Sequence, residues 1–151
     1  MIENGSLTFT DSDADDVMGS LKLTTDYPVI GVNNGSLFVE NVNLTVINTL
    51  SPTGNPGEAI LVTGDISITN SDVTAISGDS NGDNIPEPSA TTGIGTMGSI
   101  SVTNSIVSAT GGSGGMFANR LSVTNSIVTA AGNFGALIVA DSSSEECLVL
   151  T

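Results

Sequence analysis

The chain predicts an all-β fold, a three-sided parallel β-helix of about five coils, and three observations carry that prediction. One twelve-residue phrase recurs at residues 64–75, 98–109, 119–130 and, more loosely, 35–46. Repetition at a fixed period means stacked units that bury their apolar faces against one another. Within each copy the apolar residues alternate, as at Ile66 and Ile68, which is the period of a strand and not of a helix. The third observation is a corner of constant length: seven positions separate Leu37 from Leu44, Ile66 from Val73, Ile100 from Val107 and Leu121 from Val128.

The elements follow in order. The first strand of each repeated phrase, here called b, starts at Leu7, Leu37, Ile66, Ile100 and Leu121, and the second, c, at Leu21, Leu44, Val73, Val107 and Val128. A third short strand, a, precedes b by six or seven residues at Ile30/Val32, Ile60/Val62, Ile94/Thr96 and Gly115/Phe117. Three such strands joined by tight corners make one coil. The tightest, from Ile100 to Leu121, takes 21 residues. Longer coils place their excess between c and a, 16 positions from Leu44 to Ile60 and 21 from Val73 to Ile94, except that the first coil holds an acidic stretch between Asp11 and Gly19. Insertions confined to one corner stack along one edge, and such an edge is where a binding surface is expected.

The b-to-c corner carries Asp11, Asn41, Asn70, Asn104 and Asn125, each four positions after its b start. Asn and Asp tolerate the left-handed backbone of a sharp corner, and stacked amides can bond along the axis. Inward positions are Ile, Val and Leu, with the small Ala75, Ala109 and Ala130 predicting a narrow core. The predicted outward residues are Thr8, Phe38, Ser67, Ser101 and Ser122 on b and Lys22, Thr45, Thr74, Ser108 and Thr129 on c. Phe9 and Phe117 are expected to point inward. An outward apolar row of Leu61, Met116 and Ile138 on a predicts packing on a neighbouring domain or self-association.

This repeat, with its Asn corners, resembles the right-handed parallel β-helices of the pectate-lyase-like superfamily over residues 4 to 140, in particular the carbohydrate-binding and adhesin-like repeat domains of bacterial surface proteins. The resemblance rests on pattern and not on a catalytic signature. It implies a carbohydrate or surface-ligand role, and a single domain over residues 1–151 excised from a larger secreted or surface protein of a bacterium.

Composition narrows the partners. A formal charge of −14, with two basic residues and no His, repels phosphate backbones and anionic lipid, so neither nucleic acid nor a membrane surface is an expected partner. No apolar stretch is long enough for a membrane-spanning helix, and the polar, acidic start lacks the pattern of a signal peptide. Catalysis is not expected either. The lone Cys147 has no His to activate it, and Lys22 and Arg120 lie coils apart. Asp65 and Asp72, the acids on regular coil positions, read as solvated surface groups and not as a glycosidase pair.

The acidic inserts carry more chemistry. Between Asp79 and Glu87, oxygen side chains stand at Asp79, Asn81, Asp83 and Glu87, with a backbone carbonyl available at Ile85. Calcium takes six to eight hard oxygens on a flexible loop. The segment resembles the calcium loops of thrombospondin type 3 repeats and, less closely, EF-hand and dockerin loops. It departs from an EF-hand where Asn84 replaces the glycine and Ala90 the bidentate carboxylate. The alternative is a plain charged loop tip, and the same pair of readings applies to Asp11, Asp13, Asp15 and Asp16. For a sugar, the aromatic residues on the c-to-a edge are Tyr27 and Phe134. Three functions stay open: a non-catalytic extracellular module binding carbohydrate or a surface ligand with or without calcium, a structural stalk or adhesin repeat, and an ice-binding solenoid presenting Ser/Thr rows.

Overall fold

A computed structural model of the chain describes residues 2–10, 18–25, 29–49, 57–78, 92–132 and 137–142. These contain strands and no helix, so no helix long and apolar enough to cross a membrane occurs among them. All the pairings are parallel and join each strand to its counterpart one repeat away. The a row is β1 (Ile2–Glu3), β4 (Ile30–Asn33), β7 (Ile60–Val62), β10 (Thr92–Thr96), the start of β13 (Gly114–Thr124) and β15 (Leu137–Ser142). The b row is β2 (Leu7–Thr10), β5 (Leu37–Glu40), β8 (Ile66–Thr69), β11 (Ser99–Thr103) and the end of β13. The c row is β3 (Gly19–Thr25), β6 (Val42–Asn48), β9 (Asp72–Ser77), β12 (Ile106–Gly111) and β14 (Ile127–Ala131). The architecture is therefore all-β, parallel and solenoid-like.

The a and b rows form a single ten-stranded sheet because β13 runs without interruption through both. The cause lies at the corner. From Ile94 to Ile100 the chain spends six steps, with Met97 and Gly98 outside any strand, whereas from Met116, the partner of Ile94, to Leu121 it spends five. With one residue fewer, the corner straightens into continuous strand. The c row stays separate as a five-stranded sheet.

Register matches the repeat. Leu7, Leu37, Ile66, Ile100 and Leu121 are in line, as are Leu21, Leu44, Val73, Val107 and Val128. Leu37, Leu44 and Ile100 are completely buried, and the inward alanines, Ala75, Ala109 and Ala130, leave no more than 1% of their surface in water. Small side chains are needed because the rows come close. A Cβ on Gly115 would lie 2.4 Å from the Ala131 nitrogen and 2.6 Å from the Ala109 oxygen, closer than backbone atoms allow.

The a strand of the fifth coil departs from expectation. Met116 pairs with Ile94 and Leu137 and is completely buried, so it belongs to the core and not to an outward row; Phe117, expected inside, pairs with Gly95 and lies half-buried on the outer side. The shortened corner is the reason. With Leu121 held by Ile100, losing one residue before it flips every alternating position of the a strand. The outward row is Gly31, Leu61, Gly95 and Phe117, with Ile138 next in register.

Candidate functional site

The corners define what can vary. At the b-to-c corner Asn41, Asn70, Asn104 and Asn125 all have positive φ, between 47° and 56°. Asn104 donates its Nδ2 to Asn70 Oδ1 at 3.2 Å, and Asn125 donates to Asn104 Oδ1 at 3.4 Å. The residue after each Asn adds a second ladder. The Oγ of Ser71, Ser105 and Ser126 donates within its own coil to Thr69, Thr103 and Thr124 carbonyls at 2.8, 2.7 and 2.6 Å. Each Oγ also accepts a backbone N–H from the preceding coil: Val42 to Ser71, Ser71 to Ser105 and Ser105 to Ser126. Every polar group named here is satisfied by a neighbour, which marks the corner as scaffold. Its solvent side forms a shallow groove lined by Asp72, Asn104, Asn125 and the exposed Ile106 and Ile127.

Sequence reasoning missed a matching corner between a and b. Asn4 and Asn34 have φ of 56° and 55°, and Asn34 Nδ2 donates to Asn4 Oδ1 at 3.0 Å. In the later coils other residues take over: Asp65 Oδ1 accepts the Ser99 N–H at 2.8 Å, and Asn119 Nδ2 donates to the Met97 carbonyl. The signal was present as Asn4-Gly5 and Asn34-Gly35, one coil apart.

The c-to-a edge is built differently. Tyr27, Asp79, Asn81, Asp83, Ile85, Glu87 and Phe134 lie outside the described residues, in the connections from β3 to β4, β9 to β10 and β14 to β15. Each of those connections does link c to a. Two of the c strands end in polar residues, Asn48 of β6 and Ser77 of β9, which are paired in register and buried. Ser77 Oγ donates to the Gly57 carbonyl at 2.6 Å, Asn48 Nδ2 reaches the Glu58 carbonyl at 3.4 Å, and Asn48 Oδ1 is a buried acceptor with no partner. Among the described residues no three His, Cys, Asp or Glu side chains gather as a metal cluster.

The b-row face is the most regular chemical surface. Its outward residues form two parallel rows, Thr8-Phe38-Ser67-Ser101-Ser122 and, two residues on, Thr10-Glu40-Thr69-Thr103-Thr124. The first row was expected; the second is its neighbour on the same side of the strand, since alternate residues share a face. Phe38 is 43% exposed between Thr8 and Ser67, with Glu40 beside it. Over the last three coils the face reduces to Ser-x-Thr on each strand: Ser67/Thr69, Ser101/Thr103 and Ser122/Thr124.

The two regularly placed acids sit apart. Asp65 precedes β8 and Asp72 opens β9 beyond the Asn70 corner, so the four residues of β8, roughly 13 Å at about 3.3 Å per residue, lie between them. Lys22 lies on the outward c position of β3, paired with Thr45, and Arg120 lies in β13 beside Ser99. Compared with known proteins, the chain matches no family model, no curated protein and no solved structure.

Proposed function

We propose that the chain is a three-sided parallel β-helix serving as a non-catalytic extracellular module of a bacterial surface, and that its b-row face binds carbohydrate. The observation that supports this most directly is Phe38, a half-exposed ring set among Thr8, Thr10, Ser67, Thr69 and Glu40. An aromatic face covers the C–H side of a sugar while hydroxyls and a carboxylate bond its rim. The Ser-x-Thr strands continue in line with it, so the ligand is an extended polysaccharide lying along the axis. At −14 the protein favours a neutral or cationic polymer over an anionic one. A hydrolytic role has no support from Asp65 and Asp72, because a glycosidase needs its carboxyls roughly 5–10 Å apart. Titration of soluble neutral and amino-sugar polysaccharides tests the reading: Phe38→Ala and Glu40→Gln are expected to abolish or severely weaken binding. Undiminished binding by both variants, or none by the parent chain, would overturn it.

Calcium belongs to the same reading, held by Asp79, Asn81, Asp83 and Glu87 side chains and the Ile85 carbonyl. It would neutralise a carboxylate-rich insert that has no basic residue in it. A second reading, ice binding, draws on the three uncharged Ser-x-Thr strands at regular spacing. Inhibition of ice recrystallisation that survives Phe38→Ala would favour it over carbohydrate.

A further inference from the structure

The ring of Phe38 has carboxylates for neighbours on the b-row face. Glu40 follows it by two residues in β5, on the same side of the strand and roughly 6.6 Å away at about 3.3 Å per residue. Asp65 belongs to the next coil, two residues before Ser67, the register partner of Phe38, and its carbonyl accepts the Leu37 N–H at 2.9 Å. Glu40, Asp65 and Phe38 are all exposed. Thr8 and Ser67, in register with Phe38 on either side, are too short to cover an aromatic ring. Asp65 Oδ1 accepts the Ser99 N–H, which fixes that carboxylate one step further along the axis and leaves its other oxygen for a ligand.

Neither acid has a basic side chain beside it. The two that the chain possesses are Lys22, in the c sheet, and Arg120, in β13, three strands from β5. A neutral ligand laid over Phe38 strips water from Glu40 and returns no charge, which costs free energy. A protonated amine returns it through charge-assisted hydrogen bonds, which are shorter and stronger than neutral ones. The ring adds to this, since an aromatic face attracts a cation.

We infer that the b-row face selects polymers of amino sugars with protonated amines over neutral polysaccharides, an inference that rests on the carbohydrate reading of this face. One ammonium lies against the Phe38 ring and the Glu40 carboxylate. Another, further along the axis, meets Asp65. The Ser-x-Thr strands beyond supply uncharged hydroxyls to the rest of the chain of sugars.

Calorimetric titration of the 151-residue protein with two sets of soluble glucosamine oligomers of matched length, one with free amines and one N-acetylated, tests this at mildly acidic pH. The free-amine set is expected to bind about tenfold more tightly, the worth of one hydrogen bond to a charged group. That advantage should vanish as the pH rises through the titration of the amine, and should fall severalfold in Glu40→Gln or Asp65→Asn. Glu58→Gln makes the same change of charge beside Gly95 on the a row and is expected to leave the advantage intact. Equal affinity for the two sets, or preference for the N-acetylated one, would overturn the inference while the carbohydrate reading stands. Binding of neither set would overturn that reading as well. A lysine oligomer of equal charge that binds as tightly as the free-amine set would assign the preference to the net charge of −14 and not to this site, and would also overturn the inference.

Discussion

The b-to-c corner and the c-to-a edge bound the same c strands, yet one keeps the same length from coil 2 to coil 5 and the other ranges from eight to 21 positions. At the first, the backbone N–H groups of Val42, Ser71 and Ser105 donate to the hydroxyls of Ser71, Ser105 and Ser126 in the next coil, and the amides of Asn104 and Asn125 donate to the side chain of the Asn one coil before. An inserted residue would break two ladders at once. At the second, the tight coil closes on glycine, where Gly115 lies against the backbone of Ala109 and Ala131, while the c strands before the longer connections end in the buried Asn48 and Ser77. The comparison teaches that a corner keeps its length where the same hydrogen bonds repeat from coil to coil as a ladder, and is free to grow where they do not repeat.

The largest effect is expected where both regions depend on the same core. Ile100→Ala removes a completely buried side chain between Ile66 and Leu121 and is expected to cost about 2–5 kcal/mol in urea unfolding, by lost transfer energy and a cavity the neighbours cannot fill. A cost under about 1 kcal/mol would put Ile100 outside the core and undo the register.

At the fixed corner, Ser105→Ala is expected to cost about 1–3 kcal/mol, because it orphans the buried Ser71 N–H, while the Thr103 carbonyl loses one of two donors and keeps the Asn70 N–H. Asn104→Ala should add roughly 1–2 kcal/mol from the left-handed backbone at φ 49°. If both changes prove neutral, the corner is held by chain geometry alone.

The variable edge should tolerate far more. Replacing residues 78–91 by the short connection of the fourth coil, residues 112–113, is expected to change stability by less than about 1 kcal/mol, since loop entropy varies only logarithmically with length. The parent chain should melt higher in millimolar calcium than in chelator, and the shortened chain should show no such difference. An unchanged melting temperature in the parent would discard the metal. The smallest expected effect is that of Phe38→Ala on folding, within about 0.5 kcal/mol for a half-exposed side chain, which allows its loss of carbohydrate binding to be read without a stability correction.

What was legible in the sequence follows the same division. The b and c strands, their register, the Asn column and the outward b and c rows could be read because a seven-residue spacing repeats and only one alignment satisfies it. The a strands were harder. They are short, Gly31, Gly95 and Gly115 carry no side chain to show a face, and the five-step corner before Leu121 shifts parity by one, which is how Met116 came to be read as outward. The serine ladder escaped notice because a Ser after an Asn reads as turn composition, and only the structure shows its hydroxyl facing two coils. The second hydroxyl row, with Thr69, Thr103 and Thr124, was hidden by attention to the first inward residue of each strand.

The serine ladder has an evolutionary consequence. Ser105 bonds its own coil through Thr103 and the preceding coil through Ser71, and Ser126 does the same through Thr124 and Ser105. A unit such as residues 100–120 therefore brings one bond for itself and one for whatever precedes it, and asks the same of its successor. Duplicating that unit in frame inserts a rung whose every connection already has its counterpart, and deleting it rejoins two rungs that were made alike. By this ladder a change of length keeps every Ser bond partnered only where its breakpoints fall one whole coil apart. At the beginning of the ladder Val42 supplies only a backbone N–H to Ser71, so a series of rungs can start wherever the Asn-Ser pair first appears.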